Sequence, residues 1–461
     1  MRFLKDSLSA PVSAMSFAVF RIAFGLMVIL GSISDFLIDD RYQMANFISP
    51  EFHVKYTYFE WMPAWPELWM MHLHIIIVGL MGVLITLGLF YRFAMVVFTL
   101  LFTWGFLIEA AFYLNHYYLI ILFSILMIFL PMNRMWSLDA KRHPSWAGMM
   151  PGWCLVLFRA QVEIVLLYAG LVKINYDWLH AEPLGIFLRA NPHHIFGALV
   201  YQDWFVMLGA YGVIALHVLG APLLFFKRTR LFVFIVYCFF HFMNSYTFQI
   251  GFFPYFTIMA TTVFFAPDWP AAFIRKWPVL DMKLGVTAKS IVPSPLPAMP
   301  RPLVLWGAGI WLVLQILIPL RGALYPGEAN WSREGYGFAW RMMLDSHRFY
   351  GSRCMVVDSA SGRQWLINPL DYLTERQFSN VSTEPKAVLQ FARYIEAKWQ
   401  REQGAGDVIV KCELPVSLNG RKPALLIDPQ VDLTRETWGI APETWINPMP
   451  EPFVYWRDRT W

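Results

Sequence analysis

Apolar stretches of about 20 residues, cut by short polar breaks, fill the first 320 residues of the chain. A hydrocarbon core about 30 Å thick needs about 20 apolar residues in a helix, because each residue rises only about 1.5 Å. The pattern predicts nine spans, roughly 15–37, 68–90, 93–113, 116–132, 153–173, 204–226, 231–247, 250–267 and 303–320. The breaks at 91–92, 114–115 and 248–249 are short for loops, so the spans on either side could form one broken or re-entrant element.

After residue 321 the pattern changes. Charged residues become common, and short alternating runs such as Cys354-Met355-Val356-Val357 and 408–413 predict strands. Asn419-Gly420, between 416–418 and 424–427, is a hairpin-turn signal. Val388, Phe391, Ala392, Ile395 and Trp399 repeat at helical spacing within 384–402. The expected architecture is an α-helical polytopic membrane bundle of about nine spans at 1–320, then a smaller β-rich extramembrane domain with one helix at 321–461. Prolines 293, 295, 297, 300 and 302 predict a semi-rigid linker at 290–302.

Composition agrees. The chain is 57% hydrophobic and only 15% charged, against about 25% charged for a soluble domain. Its net charge of +5 is spread over loops, with no basic stripe for nucleic acid. Four cysteines without a CxxC pair make neither a disulfide framework nor a zinc site, and no metal is expected. Cys354 and Cys412 both fall in predicted strands, and the sequence leaves their pairing open. Arg2 and Lys5 precede an apolar run without a small-residue cleavage site, which reads as a retained first span. With the N-terminus inside, the inner segments carry fourteen Lys/Arg and the outer loops three, with Lys173 left at the boundary. That asymmetry predicts a cytoplasmic N-terminus and an outer C-terminal domain.

This orientation gathers costly polar residues at one depth. Asn115 and His116 start the fourth span, Lys173 and Asn175 end the fifth, and His241, Asn244 and Ser245 occupy the outer half of the seventh. A lysine at the bilayer centre costs roughly 2.5–3.5 kcal/mol on insertion scales. Lys173 is therefore either an interfacial lysine reaching for headgroups or a desolvated amine usable as a base. Phe253 and Tyr255, with their aromatic neighbours, suit a flat lipophilic ring or plain helix packing. His72, His74 and His217 read as interfacial or packing residues. Arg159 and Glu163, four apart, are expected to pair along one helix. Arg21 is expected to find a carbonyl or carboxylate inside the bundle. The residues alone predict an outward-facing polar pocket, for an enzyme on a lipid-soluble substrate or for a transporter. No repeated halves are visible, which weighs against the transporter.

The segment HFMNS at 241–245, running through IGFFPY at 250–255 to PDWP at 267–270, resembles the vitamin K-dependent γ-glutamyl carboxylase family. AGLVKINYDW at 169–178, FRIAFG at 20–25, NHYYL at 115–119, NRMWSLD at 133–139 and NWSREGYGFAWRMM at 330–343 are also similar to it, as are INP at 367–369 and IDPQVDL at 427–433. The likeness covers about residues 15–447. It implies oxidation of reduced vitamin K or menaquinol to its epoxide, coupled to carboxylation of peptidyl glutamate, with O2 and CO2 as cosubstrates. Lys173 matches the family lysine that deprotonates the hydroquinone, and His116 a histidine acting around the carbanion. Trp331 and Tyr336 match positions that place the glutamyl substrate. Asn115, Phe253 and Tyr255 are read as quinone contacts, and His241 and Asn244, from their depth, as quinone or oxyanion contacts. The resemblance further implies a glutamate-containing peptide or protein partner. With no long C-terminal extension, a bacterial inner-membrane homologue is expected, its C-terminal domain periplasmic or extracellular. Asp345 stands where the animal sequences have histidine, with His347 two residues on, which puts one substrate-side contact in doubt. A quinol-dependent epoxidase without carboxylation, and a non-catalytic quinone or lipid carrier, are the alternatives.

Overall fold

The computed structural model describes residues 8–37, 47–48, 50–146, 148–190, 195–248, 250–276, 302–402, 406–451 and 453–459. All but the last residue of the expected proline linker lies outside them. Each predicted span coincides with a helix: α1 (Met15–Leu37), α2 (Leu68–Leu87), α3 (Tyr91–Ile108), α4 (Asn115–Phe129), α5 (Gly152–Leu171), α6 (Asp203–Ala215), α7 (Arg230–Thr247), α8 (Phe253–Thr261) and α9 (Pro302–Leu320). Six are long and apolar enough to cross a membrane: α1, α2, α3, α5, α6 with its continuation to Leu223, and α9 with its continuation to Leu324. α4 and α8 are shorter apolar helices. The tight break between α2 and α3 is a left-handed turn. Gly88 (φ 61°) caps α2 by donating its N–H to Ile85 and Leu84 carbonyls, and Phe90 (φ 47°) starts α3.

The bundle interior is built on phenylalanine. Phe20 meets Phe158 edge-on with centroids 4.8 Å apart, and Phe123 meets Phe256 the same way at 5.3 Å. Leu303, Trp306 and Ile310 on α9 instead point outward, more than half exposed, as lipid-facing residues do. Arg21 is fully buried, and its guanidinium donates to the carbonyls of Ile85, Thr86, Met132 and Trp136, so the expected partner is backbone. The expected Arg159–Glu163 pair does not form. Arg159 turns to the carbonyls of Val263, Phe264 and Phe265, where the chain leaves α8 and backbone acceptors are unsatisfied, and Glu163 Oε2 has no hydrogen-bond partner among the described residues.

Strands β1 (Pro11–Ser13) and β2 (Met149–Pro151) pair antiparallel beside the bundle, and the C-terminal region holds two antiparallel three-stranded sheets. One has the order β3 (His347–Phe349), β7 (Pro415–Leu418), β8 (Ala424–Leu425), and the other β5 (Gln364–Ile367), β4 (Arg353–Asp358), β6 (Val408–Glu413). Asn419 (φ 50°) and Gly420 (φ 76°) turn the β7–β8 hairpin, as their left-handed preference predicts. Helices α10 (Glu375–Thr383) and α11 (Pro385–Glu402) cover this region, where one helix was expected, and α11 packs Val388, Phe391, Ala392 and Ile395 into the sheet core. The extra helix, α10, begins with a Thr374–Gln377 capping box. Cys354 and Cys412 are directly opposed on β4 and β6 and form a disulfide. It bridges a sequence separation of 58 residues. Replacing both cysteines by alanine should cost about 2–4 kcal/mol of stability, read as a lower denaturant midpoint that reductant reproduces in the native protein only.

Candidate functional site

A cavity of about 1150 Å³ lies where the bundle meets the C-terminal region. Its bundle side carries Val165, Leu166, Val213, Phe240, Phe253 and Ile318. Its other side is basic: besides Lys173, the lining holds Lys55, Arg321, Arg333, Arg341, Arg376 and Lys386, against Glu384 as the one acidic side chain among the described residues. One wall suits a flat apolar body and the other a carboxylate.

Lys173 sits two residues beyond the end of α5, outside the spanning helix. It is only 5% exposed. The amine donates to Ala169 O at 2.9 Å and to Met342 O of the C-terminal region at 3.1 Å, and lies 5.0 Å from the centre of the Trp178 ring. Those carbonyls favour the ammonium form, yet burial dominates and pulls the amine down to about 7. Asn175, expected beside it, instead caps the next helical turn, accepting from Trp178 N at 3.1 Å. Asp177 fastens this turn to the β7–β8 hairpin: Arg421 Nη1 and Nη2 donate to it at 2.7 and 2.6 Å, and Asn419 Nδ2 at 2.7 Å.

Asn115, His116, His241, Asn244, Phe253 and Tyr336 also line the cavity. The His116 ring lies 5.8 Å from that of Phe253, and Asn115 accepts from Tyr113 OH at 3.0 Å. His241 is 2% exposed, its ring packed near Phe240, Phe253 and Tyr237, and neither ring nitrogen has a hydrogen-bond partner among the described residues. Two residues are not brought to the wall. Tyr255 follows Phe253 by two positions, about 200° around the helix, so it faces outward, 45% exposed and bonded to Ser245 Oγ. Trp331 is buried in the C-terminal core, its indole N–H donating to Asn447 O at 2.7 Å.

The sequence reading missed His217, which also lines the cavity. It sits in a π-helical turn, Leu216–Gly220, and its Nδ1 is 2.9 Å from Val213 O. Such single turns recur at functional sites. This turn packs directly on Gly170 of α5, where an added Cβ would stand 2.7 Å from His217 Cβ. Gly170→Ala should therefore cost about 1–3 kcal/mol by overpacking, seen as a lower melting temperature. The basic residues of the C-terminal wall were also missed, because 321–386 shows no periodic basic pattern that would assign them to one face.

Tyr336 presents its ring to the cavity but donates its hydroxyl to Asp345 at 2.5 Å. Asp345 also binds Arg333 Nη2 at 2.9 Å and His347 Nδ1 at 3.1 Å. Burial opposes its charge, yet Arg333 and His347 hold its carboxyl well below the usual range. Among the described residues no cluster of three or more His, Cys, Asp or Glu is arranged to hold a metal ion.

A membrane helical bundle carrying a sheet-containing cap, with a buried amine in the cavity at their junction, defines a class of membrane protein. Family comparison makes it specific. The HTTM domain matches residues 9–269, and the vitamin K-dependent gamma-carboxylase lumenal domain matches residues 300–452. The chain belongs to the vitamin K-dependent gamma-carboxylase family, as a carboxylase-type membrane protein. No solved structure matches it.

Proposed function

We propose that this protein is a γ-glutamyl carboxylase of a bacterial inner membrane, acting on a glutamate-containing peptide with a reduced naphthoquinone (vitamin K hydroquinone or menaquinol), O2 and CO2. The carrying observation is the buried Lys173 amine, in a cavity with one apolar and one basic wall. The reading includes nine spans at 1–320, a cytoplasmic N-terminus, and an outer domain at 321–461 on the periplasmic or extracellular side.

The residues fit such a quinol. The cavity is large enough, its bundle wall is aromatic and aliphatic, and His241 keeps two buried ring nitrogens that a hydroxyl or carbonyl would satisfy. When bound, the quinol supplies with oxygen the strong base that a γ-proton of glutamate requires. Lys173 Nζ, which burial lets populate its neutral form near neutral pH, accepts a proton. His116, beside Phe253, holds or returns a proton on the substrate side. Asn115, His241 and Asn244 orient the ring, while Val165, Leu166 and Phe240 keep water from strongly basic species. Trp331 holds the start of the segment carrying Arg333 and Tyr336 through its bond to Asn447, Tyr336 presents its face to the peptide, and Tyr255 braces α7 through Ser245.

Mass spectrometry of a glutamate peptide incubated with the purified protein, reduced quinone, oxygen and labelled bicarbonate tests this. Labelled carboxyl on the glutamate is the expected result. Epoxide without label would favour the epoxidase alternative, and neither product the non-catalytic carrier.

A further inference from the structure

We propose that Arg333 is a carboxylate anchor, binding the side chain of the glutamyl residue that the peptide presents to the cavity; this rests on the carboxylase reading. Arg333 lines the cavity, its side chain 9% exposed and its guanidinium 4.1 Å above the Tyr336 ring. Two carboxylates lie against it, Asp345 2.9 Å from Nη2 and Glu384, itself on the cavity wall, 2.9 Å from Nε, although Nε makes no aligned hydrogen bond among the described residues. Nη1 is likewise buried, with neither an ion-pair nor a hydrogen-bond partner among the described residues. A buried N–H left unmade is costly, and guanidinium holds its donors in a planar fork that matches a carboxylate.

The backbone points the same way. Arg333 ends a short helical turn, Ala329–Ser332, in the left-handed conformation (φ 65°) at a position where glycine is usual. Phe338, Trp340 and Met343 are left-handed too, so four of the nine such non-glycine residues among those described fall within 333–343. Arg333, Phe338 and Met343 line the cavity, and backbone strain gathered on such a wall is characteristic of groups held for a ligand. Asp345 has a part in this: by taking the Tyr336 hydroxyl and Arg333 Nη2 together, it turns the tyrosine's polar end away and fixes the position of the guanidinium. Recognition of the acid thus passes from position 345 to Arg333.

The test is equilibrium binding to the purified full chain of a dye-labelled glutamate peptide and its glutamine counterpart. Wild type, Arg333→Gln and Arg333→Lys are compared, with label incorporation from bicarbonate followed in parallel. Wild type should prefer the glutamate peptide by about tenfold or more, and Arg333→Gln should bind both peptides alike, at the wild-type affinity for glutamine. Arg333→Lys keeps the charge without the fork, and should retain a reduced preference. If Arg333→Gln does not fold, Arg333→Lys decides: an undiminished preference overturns the anchor. So does an undiminished preference in a folded Arg333→Gln, even if wild type carboxylates the peptide. Loss of preference in Arg333→Gln, with no carboxylation by wild type, would keep the anchor and remove the carboxylase reading.

Discussion

Lys173→Met is expected to slow glutamate carboxylation by about 10²–10⁴-fold, the usual contribution of a positioned general base. Methionine keeps the volume and the apolar stem, so helical content and peptide binding should persist while turnover collapses. Lys173→Arg should be equally slow, since a guanidinium stays protonated at any accessible pH. The pH dependence carries the sign. Burial lowers the lysine to about 7, so the basic form grows, and the wild-type rate should climb, as pH rises through that value. A lysine with an ordinary value near 10.5 would still be climbing well above neutrality. Rates at saturating peptide across the neutral range separate the two.

Asp177→Asn is expected to destabilise the protein by about 3–5 kcal/mol, the cost of leaving one member of a buried ion pair uncompensated. The side chains of Arg421 and Asp177 are 1% and 6% exposed, so water cannot replace the lost charge. The pair joins the turn that follows Lys173 to the hairpin turn at Asn419, and Asn419 in turn donates to Leu344 O and accepts from Ser346 N. Losing it should also loosen the Met342 carbonyl from Lys173, so residual activity should fall with stability. Replacing both partners, Asp177→Leu with Arg421→Met, should recover part of the stability, because no orphan charge remains. Thermal unfolding of the single and double variants in detergent measures this. Single variants within about 0.5 kcal/mol of wild type would contradict it.

Much of this architecture is legible in the chain because the bilayer forces regular backbone. A span must satisfy its own hydrogen bonds, so each apolar stretch read from hydropathy falls on a helix, six of them among the described residues long and apolar enough to cross, and limits shift where caps intervene, as at Gly88. Local turn chemistry was equally readable at Asn419-Gly420. The pocket could be read at the level of depth: Asn115, His116, Lys173, His241 and Asn244 share one cavity. What depth does not supply is direction around a helix. Phe253 and Tyr255 were taken together although two positions in a helix face opposite ways, and Arg159 preferred carbonyls 104 to 106 residues away to a glutamate one turn along. The C-terminal wall was hidden for another reason. Arg333, Glu384 and Asp345 meet only through tertiary folding, and a left-handed arginine has no sequence signature.

Quantifying γ-carboxyglutamate and quinone epoxide from one reaction vessel, with wild type and Lys173→Met side by side, tests whether Lys173 starts a coupled carboxylation. Wild type should form both products in step, and the variant neither above background. Epoxide without carboxylated peptide, or carboxylation undiminished in the variant, would contradict that role.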